Sequence, residues 1–277
     1  DMSGYHLILL AKNLTGYRNL CKIISESFMD DCFYNKPRID KELLTQYHEG
    51  LICSSACLGG EIPQKILTGQ LQEAEEAVVW FKQLFGDDYY IELQRHETLR
   101  PGGERSTFQK QQIVNPILID LAHKHGIKLI ATNDVHFIEE EHAEAHDRLI
   151  CINSNKYVDE EDRLHYTKQE WLKSPEQMAA IFADLPEAIS NTQEIADKVE
   201  IYNIDSAPIM PTFPIPEAFG QESDYPSRLA FESAYLRHLA MEGAVQRYGA
   251  ERLANDEVLK ERLQFELDTI INMGFPG

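Results

Sequence analysis

Thr132-Asn133-Asp134-Val135-His136 follows directly on the apolar run from Ile127 to Ala131. Alternate side chains of an extended segment share a side, so Asp134 and His136 project together. A carboxylate beside an imidazole is a donor pair that Zn, Mn or Fe accepts. The competing reading is a polar turn in which Asp134 caps the next helix. Cys57 stands three residues past the run Leu51 to Ser54 and just before Gly59-Gly60-Glu61. There a thiolate could join a metal cluster, although a buried cysteine is commonly a small core residue. His96, in Gln94-Arg95-His96 after the run Tyr89 to Leu93, offers an imidazole at the same kind of position, or is a solvated loop histidine. His6 lies at the start of its run instead of its end, and spacing does not select it. His142 and His146 are four apart on a predicted helix, but Ala143-Glu144-Ala145 between them breaks the His-Glu-x-x-His pattern. With Glu139, Glu140, Glu141, Glu144 and Asp147 nearby, an acidic solvated face with one packed histidine is expected.

These residues need a scaffold that gathers strand ends. Short apolar runs at Tyr5 to Ala11, Leu51 to Ser54, Tyr89 to Leu93 and Ile127 to Ala131 alternate with helical patterns at Gly16 to Phe28, Gln64 to Phe85 and Gln109 to His125. The recurrence of roughly 40 residues is that of a strand, a crossover helix and two loops. It predicts an α/β fold with parallel strands covered by helices and a site at their C-terminal ends. Four units are about half of a closed barrel of around eight, and the first run begins so near position 1 that earlier units are expected to be missing. After Thr132 the pattern turns helical: a helix from Glu139 to Ile152, a capping box at Ser174-Pro175-Glu176-Gln177, and a second proline-started helix from Pro186 to about Val199. Pro208, Pro211, Pro214, Pro216 and Pro226 mark an extended connector. Two further helices are predicted at Ser227 to Tyr248 and Asp256 to Met273.

Composition narrows the function classes. Lys plus Arg number 26 against 46 Asp plus Glu, for a formal charge of −20, so this segment would not grip nucleic acid through overall charge. No apolar run approaches the roughly 20 residues that span a bilayer. Five scattered cysteines suit free thiols in a reducing, cytoplasmic setting, and Cys53 with Cys57 lacks the second pair of a zinc finger. Glycine-rich phosphate loops, a nucleophile elbow and a basic aromatic stripe are missing from the sequence.

The segments YHLILLAKNLTGYRNLCKI, GLICSSACLGGEIPQ, YYIELQRHE, GIKLIATNDVHFIEEEHAEAHD, SPEQMAAIFADLPEAISNTQEIA, PIMPTFPIP and INMGFPG together resemble the C family of bacterial replicative DNA polymerases, the alpha subunits of DNA polymerase III. The resemblance implies that residues 1 to about 200 are the later part of a PHP (polymerase and histidinol phosphatase) domain, a partial distorted (β/α)7 barrel. Residues 201–226 would be a Pro-rich connector and 227–277 the helical start of the polymerase palm. It further implies His6, Cys57, Asp134 and His136 as ligands of a divalent metal (Zn, Mn or Fe), with Glu61 and His96 as additional site residues. The resemblance implies that the whole enzyme uses Mg²⁺ to extend DNA from dNTPs, works in the cytoplasm with a proofreading subunit and a sliding clamp, and carries a PHP-borne 3′–5′ exonuclease. The remaining PHP ligands and the palm aspartates would lie outside Asp1 to Gly277, so the chain alone is expected to be inactive. The alternatives are a stand-alone PHP phosphoesterase of the histidinol-phosphatase type and a PHP scaffold that docks the proofreading subunit.

Overall fold

The computed structural model describes residues 4–29, 32–34, 36–207 and 211–277. Pro208 of the proline-rich stretch lies outside the described residues. The chain divides into two compact units, 1–204 and 205–277.

The first unit is built on a four-stranded sheet in the order β1-β4-β5-β6, with β1 at Ile8–Ala11, β4 at Leu51–Ser54, β5 at Tyr89–Leu93 and β6 at Lys128–Ala131. A short ribbon of β2 (Phe33–Tyr34) and β3 (Lys36–Pro37) stands apart from it. All residues of β4 and β5 are buried, which is why both read as largely apolar runs instead of alternating ones. Burying one aliphatic or aromatic side chain contributes about 1.5–3 kcal/mol, so these two strands anchor the unit. Helices α1 (Leu14–Ser27), α2 (Lys41–Tyr47), α3 (Glu61–Leu67), α4 (Leu71–Phe85) and α5 (Ser106–His125) supply the rest of the core. The stripe Ala74, Ala77, Val78 and Phe81 of α4 is buried, and Phe81 stacks on Tyr89 with ring centroids 5.3 Å apart. Helices α6 (Ala143–Ser154), α7 (Pro175–Ile181) and α8 (Pro186–Lys198) follow, and α8 packs on β6.

Four expectations need correction. The pattern from Gln64 to Phe85 is two helices, because Gly69 takes a left-handed φ of +78° between them. Helix α6 starts at Ala143, behind a 3-10 turn over Glu140–His142, instead of at Glu139. Asp134 caps no helix: its φ is +44°, and the following turn is capped by Glu139. Most consequential, β4, β5 and β6 are parallel but β1 runs antiparallel to β4, with Ile8 opposite Ser54 and Ala11 opposite Leu51. Helix α1 leads away from the end of β1, and α2 returns the chain to that same end, with Ala11 opposite Leu51. Lys12 N–H then donates to Gly50 O at 2.8 Å and the Asn19 side chain to Glu49 O at 2.9 Å, so β4 begins where β1 ends.

The second unit holds α9 (Arg228–Tyr248), α10 (Ala250–Asn255) and α11 (Glu257–Asn272). Residues 211–226 are irregular apart from two 3-10 turns, Glu217–Phe219 and Glu222–Asp224. Phe219 packs on Phe231 and Tyr235, and Arg237 pairs with Asp268 at 2.6 Å to tie α9 to α11.

Candidate functional site

The C-terminal ends of β4, β5 and β6 and the N-terminal end of β1 form one rim of the sheet. Cys57 sits in the turn after β4, where Ala56 adopts φ +59° and Gly60 N–H donates to Cys57 O at 2.9 Å. His6 enters the rim ahead of β1. Its N–H donates to Gly59 O at 2.9 Å, and its Nδ1 lies 3.3 Å from the Cys57 sulfur. A Cβ on Gly59 would stand 3.0 Å from the His6 ring, and one on Gly60 only 2.2 Å from Ser55 O. The two glycines therefore permit the close passage of this turn beside the imidazole.

Asp134 and His136 follow β6 and are exposed. His136 Nδ1–H donates to the Asp134 carbonyl at 2.6 Å, which leaves the Nε2 lone pair of the neutral ring to accept from the Tyr166 hydroxyl at 3.1 Å. His146 packs against the same pair, 5.6 Å from His136 and 5.0 Å from Tyr166 between ring centroids. Burial and the neighbouring His136 lower the His146 pKa. His142 instead accepts from Glu139 N–H at 3.2 Å, so of the two helix histidines one is packed and one closes a turn.

His96 is 2% exposed. Its Nε2–H donates to Asn133 O at 3.1 Å and its Nδ1 accepts from the Gln111 amide at 3.1 Å, while burial lowers its pKa. Both ring nitrogens are thus engaged by protein, and the ring holds the Asn133 carbonyl just ahead of Asp134. Glu61, at the start of α3, pairs with Lys41 at 3.0 Å and Lys65 at 3.1 Å.

Electrostatics link the rim. Burial pushes the Cys57 thiol up, opposed by a hydrogen bond from Gly59, and the negative fields of Asp134 and Glu92 add to the rise. Burial, Asp134, Glu170 and Cys57 together raise the Tyr166 hydroxyl. Imidazole, thiol and carboxylate donors are a set that Zn, Mn or Fe accepts. Among the described residues, no three His, Cys, Asp or Glu side chains stand close enough to share an ion as they are placed. Of His6, Cys57, Asp134 and His136, the side chains of His6 and Cys57 are in hydrogen-bond contact.

Two participants escape sequence reasoning. Tyr166 lies in an irregular segment with no pattern to flag it. Glu92 carried a signal, since it is the one carboxylate inside the apolar run YYIEL, and a buried acid in a strand calls for partners.

Residues 1–96 match the PHP domain family. The chain is 42% identical over 276 residues to a DNA polymerase III subunit alpha of Borreliella burgdorferi and 40% identical over 275 residues to that of Treponema pallidum, covering 99% of this chain in each case. It is 34% identical over 331 residues to the corresponding subunit of Thermus aquaticus, over 100% of this chain. The chain spans 22%, 21% and 26% of the length of these three relatives. No helix among the described residues is long and apolar enough to cross a membrane.

Proposed function

Since the chain belongs to the DNA polymerase III alpha subunit family and carries PHP-domain sequence in residues 1–96, we propose that it is a segment of a replicative DNA polymerase. The whole enzyme would extend DNA from dNTPs in the bacterial cytoplasm, with a proofreading subunit and a sliding clamp as partners. Residues 1–200 would form the later part of a PHP barrel, 201–226 a connector and 227–277 the start of the palm. The supporting observation is that the likeness runs through 99% of the chain, including the helical residues past 204 that a stand-alone histidinol-phosphatase-type enzyme has no use for.

On this reading His6, Cys57, Asp134 and His136 hold a divalent metal at the rim, with Glu61 and His96 beside it. A bound ion would supply Lewis-acid activation of water against a phosphodiester, the chemistry of a 3′–5′ exonuclease. The chain's own residues prepare for it. The Asp134 carbonyl fixes the His136 tautomer so that Nε2 carries the lone pair, which a metal would take in place of the Tyr166 hydroxyl, and His96 holds the Asn133 carbonyl, a support of the kind that orients ligands. On the same reading the Mg²⁺ ions of nucleotide addition would belong to palm aspartates, and further PHP ligands would complete the rim, outside these 277 residues; the chain by itself would then neither polymerise nor hydrolyse DNA.

The test is Asp134→Asn in a complete alpha subunit that contains this chain. Loss of exonuclease with primer extension retained supports the reading. Unchanged exonuclease with a lowered melting temperature would instead mark the domain as a scaffold for the proofreading subunit.

A further inference from the structure

Glu92 lies within the apolar run of β5 and is 7% exposed. Its Oε2 accepts from the Ser54 hydroxyl at 2.6 Å, and its Oε1 from the Gln94 amide at 2.9 Å and from the Thr132 hydroxyl. Its backbone N–H donates to Ser55 Oγ at 2.9 Å. All of these partners are neutral, and among the described residues Glu92 has no ion pair. Hydrogen bonds from neutral groups offset only part of the cost of burying a carboxylate, which ordinarily stands beside a cation.

The partners are placed in a telling way. Ser54 ends β4, Ser55 follows it, Gln94 follows β5 and Thr132 follows β6, so one carboxylate ties together the ends of three neighbouring strands. Ser55 stands two residues before Cys57, and Thr132 two residues before Asp134. Glu92, Gln94 and Cys57 also line one cavity of about 10 Å³, room for no more than about one water. The carboxylate thus acts on the rim from behind, and substrate does not reach it.

We infer that Glu92 is a positioning residue with two roles: it clamps the segments that carry Cys57 and Asp134, and it supplies an uncompensated negative charge that draws a cation to the rim. The inference rests on the reading of the rim as a metal site. It also explains why the residue is Glu. Gln has the same shape: its carbonyl can keep accepting from Gln94 and Thr132 while its NH2 donates to a Ser54 hydroxyl that reverses to accept, so packing alone would be satisfied by Gln.

Titration of the 277-residue chain with Co²⁺ separates these roles, because a thiolate ligand gives Co²⁺ a charge-transfer absorption that Cys57→Ala removes. Glu92→Gln is expected to weaken the Co²⁺ dissociation constant about tenfold or more, the usual effect of losing an outer partner of a metal ligand, with the melting temperature of the metal-free protein unchanged. Thr132→Val keeps the charge, unties β6 and is expected to weaken Co²⁺ by a smaller factor. It also serves as the test if Glu92→Gln does not fold. Wild-type Co²⁺ affinity in Glu92→Gln, or in Thr132→Val where that variant stands in, overturns the inference and leaves the metal reading intact. Absence of a Cys57-dependent band in the wild-type chain overturns the metal reading, and the inference with it.

Discussion

His6 Nδ1 lies 3.3 Å from Cys57 Sγ, although the two residues are 51 positions apart. The contact exists because β1 is antiparallel to β4, which brings the residue ahead of β1 to the turn that follows β4.

The first prediction concerns thiol reactivity. Burial, aided by Asp134 and Glu92, raises the Cys57 thiol, so its thiolate fraction at neutral pH is below the ordinary value and its alkylation is slow. In metal-free protein Cys21, which is exposed, should be modified before Cys57, and Cys53, whose thiol burial raises much further, only on unfolding. Asp134→Asn removes one raising charge and should speed alkylation of Cys57 alone. Mass spectrometry of peptides after timed iodoacetamide treatment reads all three rates.

Tyr89 is 1% exposed and its hydroxyl has no hydrogen-bond partner among the described residues. An unsatisfied buried polar group costs about 1–3 kcal/mol. Tyr89→Phe keeps the stack on Phe81 and should raise stability by about 1 kcal/mol, seen as a higher urea midpoint at constant slope. A lower midpoint would mean that the hydroxyl has a partner, such as a buried water.

Glu104 caps α5, accepting from Ser106 N–H at 2.5 Å and from Thr107 N–H at 2.9 Å. Burial opposes its ionisation, but the hydrogen bonds from Ser106 and Thr107 outweigh it and bring the pKa down to about 2. The unfolded value is about 4.3. A lowered folded pKa contributes stability that is present above the unfolded value and is lost as pH falls through the folded one. Glu104→Ala should therefore cost about 1 kcal/mol at pH 7, as for other lost caps. The difference from wild type should shrink between about pH 4.3 and pH 2, as urea titrations across that range would show. A difference that persists unchanged at pH 2 would assign the effect to packing.

Gly60→Ala places a Cβ 2.2 Å from Ser55 O, and backbone cannot yield as a flexible side chain can. A cost of about 1–3 kcal/mol is expected, measured by thermal unfolding. Gly69→Ala is a control with open space but a left-handed φ of +78°. It should cost about 1 kcal/mol through backbone strain alone.

Much of the fold was legible because its signals are local. The runs at 51–54 and 89–93 coincide with β4 and β5 to the residue, since strands buried on both faces are mostly apolar on both. The capping box at Ser174 forms as its spacing requires, with Ser174 and Gln177 exchanging hydrogen bonds. Asp134, His136 and Cys57 were selected by their place just past a strand, a rule that holds wherever strands are parallel.

The sequence by itself determined which segments become strands and helices, and which donors stand beside strand ends, because propensity, capping and burial pattern act over a few residues. Tertiary structure alone decided the direction of β1, and with it His6. In a parallel sheet the start of a strand lies at the edge opposite the site. Here the chain returns through α2 (Lys41–Tyr47) to the end at which β1 finished, and the number of helices does not announce it, since β4 and β5 are also joined by two helices and are parallel. Tertiary structure likewise decided that His96 would be buried between Gln111 and Asn133 instead of solvated, and that Glu92 would be held by residues 38 and 40 positions away. Such contacts close only when separate strand ends meet, and no periodicity within one segment encodes which ends those are.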